Sequence, residues 1–463
     1  MAAIPAEPTP RPWRLALAWL VALGIFFYAS YGLANWLATQ RAHVPSVVFD
    51  WEANIPFVAW SILPYWSLNL FYTGSLFVCS TRHELGIHVR RLLTVQIIAV
   101  TFFIITPLAF SFGQPEVDGL PGRLFGALRS FDRPYNQAPS LHIALVVILW
   151  SLYSHHVQGL LRGLLHLWFI LVGLSVLTTW QHHFIDVPTG ALLGLFCLWL
   201  WPLHSVSPLK SLQLSRDRRR IRLFGYYTVG AVLLAAMAML CGGAWLWLWY
   251  PAVSLALVAA NYLVIGINGF QKDPQGIMTL AARLLLLPYL LGAWLNSRWW
   301  TRGQTEACEI VDGVWLGRFP TAHSLNSRVA PVVELSEREL TVLDLTAELP
   351  APGNLADTGV SWFCQPMLDL VDAPPSDLAA AATRLELKHK QGPVLVVCAL
   401  GYSRSASVVA LWLVQSGRAT SIDTAIAMIA EKRPSIRLDE RHRQLIKTAL
   451  QKDNGQDGNR EAT

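Results

Sequence analysis

Cys398 and Arg404 stand six positions apart in the stretch Val394-Leu-Val-Val-Cys398-Ala-Leu-Gly401-Tyr-Ser-Arg404-Ser405. An apolar, β-branched run leads into the cysteine, and an apolar helical pattern, Ala406 to Leu413, follows the serine. The spacing predicts a strand, a tight loop and a helix N-terminus. In such a loop the backbone N–H groups of Ala399, Leu400, Gly401, Tyr402 and Ser403 form a nest for an anion, and the helix end adds its positive dipole. The same field stabilises a thiolate, which makes Cys398 a nucleophile. Arg404 can grip two phosphoryl oxygens with its planar fork. Gly401 lets the backbone approach closely. The chemistry implied is thiolate attack on a phosphate monoester through a cysteinyl-phosphate. Ser405 would assist its hydrolysis by stabilising the departing thiolate. An acid must protonate the leaving alkoxide. Asp369 and Asp372 precede Cys398 in Met367-Leu-Asp-Leu-Val-Asp-Ala-Pro-Pro-Ser-Asp377.

A second group of polar residues sits in apolar surroundings. Arg133-Pro-Tyr-Asn-Gln-Ala-Pro139-Ser140-Leu-His142 carries a loop into a helix, and Trp180-Gln-His182-His183-Phe-Ile-Asp186-Val-Pro-Thr-Gly190 does the same. His182 and Asp186 are four apart, which predicts one shared helical face. Ionisable groups at the end of a membrane helix mark function. A histidine nucleophile oriented by a carboxylate, with a second histidine as general acid, makes a workable phosphoryl-transfer site. The alternative is a set of interfacial histidines that cap helices in a domain that only anchors.

The elements that must position these residues are mostly apolar. Of 463 residues 53% are hydrophobic and 14% charged, with twenty tryptophans, which points to a polytopic membrane protein. The net charge of +6 resides in short loops, a topology signal rather than a nucleic-acid footprint. The six cysteines show no CxxC pair and no metal-ligand spacing, and no metal or organic cofactor is implied. After a disordered Pro/Ala-rich start at 1–12, spans are expected at 13–38 (an uncleaved anchor), 55–79, 92–112, 139–157, 160–180 and 184–204. A basic linker at 207–222 and a hairpin of two spans at 223–268, turning at Gly242-Gly243 or Pro251, come next. Residues 277–300 read as an interfacial helix or a ninth span, interrupted by Arg283 and Pro288. Arg11, Arg14, Arg82, Arg90, Arg91, Arg162 and the 216–222 cluster fall on one side, which the positive-inside rule makes cytoplasmic. The loops at 39–54, 113–138 and 181–183 then face outward. A catalytic thiolate favours the reducing cytosol, which argues for the interfacial reading of 277–300.

A soluble domain is expected over 303–450. Its strands are Val311 to Leu316, Val342 to Leu345 and Val394 to Val397. Its helices are Leu378 to Lys390, Ser405 to Ser416, Ser421 to Lys432 and Glu440 to Gln451. A polar tail, 452–463, closes the chain.

The Cys398–Arg404 segment resembles the cysteine-dependent protein tyrosine phosphatases, their dual-specificity branch in particular, with Val397 where that family usually has histidine. Ala282-Arg-Leu-Leu-Leu-Leu-Pro288 and Val311-Asp-Gly-Val-Trp-Leu-Gly317 are similar to the start of the mitochondrial dual-specificity branch that acts on phosphatidylglycerophosphate. That branch has an acid, a proline five on and an aspartate eight on. Asp369, Pro374 and Asp377 reproduce this, so the resemblance selects Asp369 as the acid and leaves Asp372 as a loop or helix-capping carboxylate. Residues 60–205 resemble the type 2 phosphatidic acid phosphatase superfamily, in the membrane branch that includes inositol-phosphoceramide synthases. Pro139 to His142 matches its second motif and His182 to Asp186 its third. The match implies that His182 attacks, Asp186 orients it and His142 protonates the leaving group. The third motif's arginine is replaced by Val176 and the first motif's lysine is missing, which leaves the phosphate to Arg133, with Arg129 or Arg123.

Together these readings imply a bacterial-type fusion: a polytopic α-helical membrane bundle followed by an α/β cysteine-dependent phosphatase domain. The expected substrate is a phospholipid head group, such as phosphatidylglycerophosphate or a phosphoinositide, and tethering at the bilayer raises its effective concentration. The alternative is a membrane-anchored phosphatase of phosphoproteins.

Overall fold

A computed structural model describes residues 11–326, 340–353 and 359–460. Residues 1–10 of the expected disordered start at 1–12 and the last three residues of the tail lie outside these. The chain divides into two units, Met1–Ser207 and Pro208–Thr463.

The first unit is helical: α1 (Trp13–Thr39), α2 (Ile62–Val78), α3 (Arg82–Ile105), α4 (Gly119–Phe131), α5 (Leu141–His156), α6 (Gly159–Thr178) and α7 (Asp186–Leu200). Apolar side chains such as Leu76, Leu92, Ile148 and Phe169 are fully buried between them, where close van der Waals packing holds the helices together. The close pair is α5 and α7. A Cβ on Gly190 would lie 2.5 Å from the Ser140 carbonyl oxygen, and one on Gly194 2.8 Å from that of Ala144. This small-xxx-small spacing lets the two backbones meet, and it sets Ser140 and His142 beside the start of α7.

Among the described residues five helices are long and apolar enough to cross a membrane: α1, α3, α6, α8 (Arg218–Cys241) and the run Gly243–Phe270. The expected spans at 55–79, 139–157 and 184–204 appear as α2, α5 and α7, of 17, 16 and 15 residues. At 1.5 Å per residue these reach only about 22–26 Å, short of a ~30 Å hydrocarbon core. Helix α4, within the expected outer loop, had no sequence-based expectation.

The second unit opens with α8, which ends at Gly242 and Gly243, both at positive φ (60° and 51°). The hairpin turn is therefore at the glycine pair; Pro251 lies in the first turn of α9 (Trp249–Ala260). A π-turn, Asn261–Ile265, follows. Its loosened carbonyls on Asn261 and Tyr262 accept from the Arg220 guanidinium at 3.3 and 2.8 Å. The segment 277–300 is not one helix but two, α10 (Leu280–Leu285) and α11 (Leu287–Trp300), with Pro288 in the first turn of α11.

Five strands then form one mixed sheet in the order β1-β2-β5-β3-β4: β1 (Ala307–Val311), β2 (Val314–Arg318), β3 (Thr341–Thr346), β4 (Ser361–Met367) and β5 (Val394–Cys398). The single strand expected over 311–316 is instead a hairpin. Asp312 and Gly313 both have positive φ (48° and 81°), the backbone that a two-residue turn requires. The remaining pairs are parallel. Side chains of β5 alternate. Val394, Val396 and Cys398 face the helices Pro375–His389 and Arg404–Gln415, while Leu395, Val397 and Ala399 pack with Trp315, Phe319 and Trp362, against which Ala293 of α11 also packs. Val397 is fully buried in that apolar layer, so valine suits the position. The last helix, Glu440–Arg460, continues past Gln451 into the segment read as a tail.

Candidate active sites

β5 ends at Cys398 and a helix begins at Arg404, so residues 399–403 form the predicted loop. Its carbonyls are all engaged by groups outside the nest. Ser297 of α11 donates to the Ala399 oxygen at 2.5 Å. Buried Arg433 donates to the oxygens of Leu400 and Gly401 at 3.3 and 3.1 Å. The Arg437 N–H donates to Tyr402 at 2.9 Å, and that of Ser407 to Ser403 at 2.7 Å. Because each peptide is planar, drawing its carbonyl outward leaves the N–H on the opposite side, where an anion would sit. Gly401 has φ 72°. A Cβ there would lie 2.6 Å from the Gly317 carbonyl oxygen of β2, so no side chain fits. The Ser405 hydroxyl donates to the Cys398 sulfur at 3.2 Å, the contact expected of a group that stabilises a leaving thiolate.

Arg404 is held by a residue that the sequence reading missed. Glu348 accepts from both of its terminal nitrogens, at 3.0 and 2.6 Å, and the Met367 carbonyl accepts from Nη1 at 2.9 Å. This fork-to-fork pair fixes the plane of the guanidinium. Asp369 approaches the same cation, its Oδ1 2.8 Å from Nη2. Burial pushes the Asp369 carboxyl above its ordinary range; Arg404 opposes this and Glu348 adds to it. The acid form is thereby favoured, as a proton donor requires. The Asp369 carbonyl accepts from the Tyr262 hydroxyl at 3.0 Å, and Leu370 beside it has φ 59°, a strained backbone for a side chain of that size. Asp372 lies in a loop, as expected, and pairs there with Arg219 of α8 at 3.1 Å. Lys272 reaches Asp344 at the end of β3 at 2.5 Å, both side chains buried. A cavity of about 720 Å³ opens over Ser403 and Arg404, walled by Arg219, Arg222, Tyr226 and Arg437.

In the helical unit the expected histidine site also comes together, by a different route. His182 is not on a helix with Asp186: α7 begins at Asp186 and His182 lies in the loop before it. The loop folds back so that His182 Nδ1 is 3.3 Å from Asp186 Oδ2. With its amide oxygen and nitrogen exchanged, the orientation its neighbours satisfy, Gln137 donates to the same carboxylate oxygen at 3.0 Å, to the Gln181 carbonyl at 3.2 Å and to His182 Nδ1 at 3.3 Å. Nε2 lies 3.1 Å from the Ser140 hydroxyl, and in the tautomer with Nδ1–H toward Asp186 it carries the lone pair that a nucleophile needs. His142 stacks on Tyr65 (centroids 4.2 Å apart), and its buried Nε2 has no hydrogen-bond partner among the described residues. His142 and His182 line one cavity of about 320 Å³; Arg129 and Arg133 line another of about 280 Å³, also with His182. Arg123 lines neither. His183 is a support: Nδ1 meets Glu52 at 2.9 Å and Nε2 accepts from the Ser111 N–H at 3.1 Å. Glu52 was not expected, because it reaches His183 from a loop 131 residues away; Ser140 and Gln137 lie within the Arg133–His142 stretch but had been given no role of their own.

Residues 329–451 match the family model of the dual specificity phosphatase catalytic domain. No curated protein matches the chain. Among solved structures, similar ones are Tk-PTP in its active form (23% identity, 31% of this chain and 95% of that one, TM-score 0.27), PTPMT1 in complex with PI(5)P (19%, 33% and 99%, 0.29) and human DUSP28 (19%, 31% and 93%, 0.26). The second unit therefore carries a cysteine-dependent dual-specificity phosphatase domain, and the chain is a phosphatase.

Proposed function

We propose that the chain hydrolyses phosphate monoesters of phospholipid head groups at a membrane surface, through a cysteinyl-phosphate on Cys398. The loop N–H groups and Arg404 hold the phosphoryl group, Asp369 protonates the departing alkoxide, and Ser405 eases release of the thiolate. One observation carries the lipid reading. Both catalytic loops are tied by hydrogen bonds to apolar elements, Ser297 of α11 to Ala399 and Tyr262, within the span-length run Gly243–Phe270, to Asp369. A substrate in solution would not require this. Purified full-length protein given vesicles of phosphatidylglycerophosphate, a phosphatidylinositol phosphate or phosphatidic acid, and separately a phosphotyrosine peptide, tests it. Preferential release from a lipid supports the reading, and preferential release from the peptide supports an anchored protein phosphatase.

A second reading concerns the helical unit. The His182–Asp186 contact and the adjoining cavities favour a second phosphoryl-transfer site, with His182 attacking, His142 protonating the leaving oxygen and Arg133 supplying fixed charge. Lacking the motif arginine, it would turn over slowly or transfer to an alcohol. By the arginine pattern this site faces outward and the phosphatase domain the cytosol. Lipid turnover by a Cys398→Ser protein that disappears on adding His182→Ala supports a second centre. Its absence across donors and acceptors supports an anchor.

A further inference from the structure

The 720 Å³ cavity over Arg404 holds more positive charge than one phosphoryl group needs. Most of that charge is committed. Arg404 is paired with Glu348 and Asp369, Arg219 with Asp372, and His442 with Asp439 at 2.7 Å. Arg222 and Arg437 have no ion pair among the described residues, yet both line the cavity. Two unpaired guanidinium groups facing one cavity repel each other, and an anion between them removes that cost. Both side chains are exposed, and the backbone that carries each is anchored. The backbone N–H of Arg437 is bonded to Tyr402 of the phosphate loop. Arg222 lies in the second turn of α8, next to buried Leu223. Tyr226, four residues on, shares its face and also lines the cavity. Beyond Tyr226 the exposed side chains of α8 are apolar: Val229, Val232 and Leu233 are each about 60% exposed. The wall of the cavity thus runs from the phosphate loop, past two arginines that lack an ion pair among the described residues, to Tyr226, beyond which lies the apolar flank of a helix long enough to span a bilayer. None of 218–226 lies within the matched catalytic domain.

We propose that Arg222 and Arg437 form a second anion subsite, which selects lipids that carry an acidic group in addition to the phosphate monoester removed. The monoester sits in the Cys398–Arg404 loop, the second acidic group, such as a phosphodiester, between Arg222 and Arg437, and the acyl chains beside α8. This rests on the reading of Cys398 as a phosphatase centre that acts on lipids. A phosphopeptide has no use for the apolar flank.

The test uses full-length protein in vesicles, with His182→Ala as the background throughout so that only Cys398 turns over lipid, and compares kcat/KM for phosphatidylglycerophosphate, which has a terminal monoester and a phosphodiester, with that for phosphatidic acid, which has the monoester alone. With both arginines intact the protein is expected to favour the first by about tenfold or more, the scale of one charge-assisted hydrogen bond. Arg222→Gln and Arg437→Gln each lower that ratio about tenfold, chiefly through KM, while Arg222→Lys retains most of it. A ratio unchanged in both glutamine variants, or equal losses on both lipids, overturns the subsite while leaving the phosphatase reading intact. Undiminished lipid hydrolysis by Cys398→Ser overturns the underlying reading instead, and the subsite with it.

Discussion

Arg404 has one partner whose loss should be felt at once. Glu348 is buried and bonded to both terminal nitrogens. Breaking a buried ion pair by removing one member costs about 3–5 kcal/mol, and here Asp369, 2.8 Å from the same guanidinium, keeps Arg404 partly paired and holds the loss to the lower end of that range. Glu348→Ala is therefore expected to lower thermal stability by that amount in a denaturation experiment and to weaken phosphate-analogue binding, since the fork is no longer held. Asp369 gives a pH signature. Its acid form is favoured by burial, and a general acid must be protonated to act, so turnover falls as pH rises through its titration. Asp369→Asn should slow lipid phosphate release and flatten that descending limb; a limb that persists assigns it to another group. The contiguous motif was legible because strand, loop and helix are consecutive. Glu348 and Arg433 were not, because they lie 56 and 32 residues from the groups they hold. Thr346-Ala-Glu348, directly after a strand, was the available signal for the first.

Elements explain how separate motifs meet. Gly190 and Gly194 let α7 lie against α5, which carries Ser140 and His142 to His182. Gly194→Leu would drive a side chain into the Ala144 carbonyl. The expected result is a less stable protein in detergent, with any His182-dependent turnover lost and Cys398-dependent turnover kept. Ser297→Ala would free the Ala399 carbonyl at a cost of about 0.5–1.5 kcal/mol; a fall in kcat with lipid substrate would show that α11 steadies the loop. The helices expected at 378–390, 405–416 and 421–432 held to within a few residues because their apolar periodicity is strong, whereas the last helix runs on to Arg460 and 277–300 is two helices. The β1–β2 hairpin was misread as one strand although Asp312-Gly313 carries the turn signal. Strand β4 contains a proline and little alternation (Ser361–Met367). The four-residue spacing of His182 and Asp186 gave the right contact for the wrong reason: a loop, not a helical face, brings them together.

At the scale of the whole molecule, apolar helices and a phosphatase sheet belong to one unit, joined by Lys272–Asp344, Ser297–Ala399 and Tyr262–Asp369. Sequence periodicity showed both halves but not these ties, which are side-chain contacts between segments that look unrelated. The arginine pattern predicts a cytosolic phosphatase domain; a reporter active only in the periplasm, fused after Gln451, should stay silent, and a bright fusion would reverse the orientation. The central claim is that Cys398 removes phosphate from a membrane lipid. Its most direct measurement is phosphate release from lipid vesicles by full-length protein in a His182→Ala background, with and without Cys398→Ser. The result expected is steady release with the cysteine, exceeding that from a phosphotyrosine peptide, and a loss of at least about a thousandfold with the serine. Equal release by the two proteins, or release from the peptide alone, would contradict it.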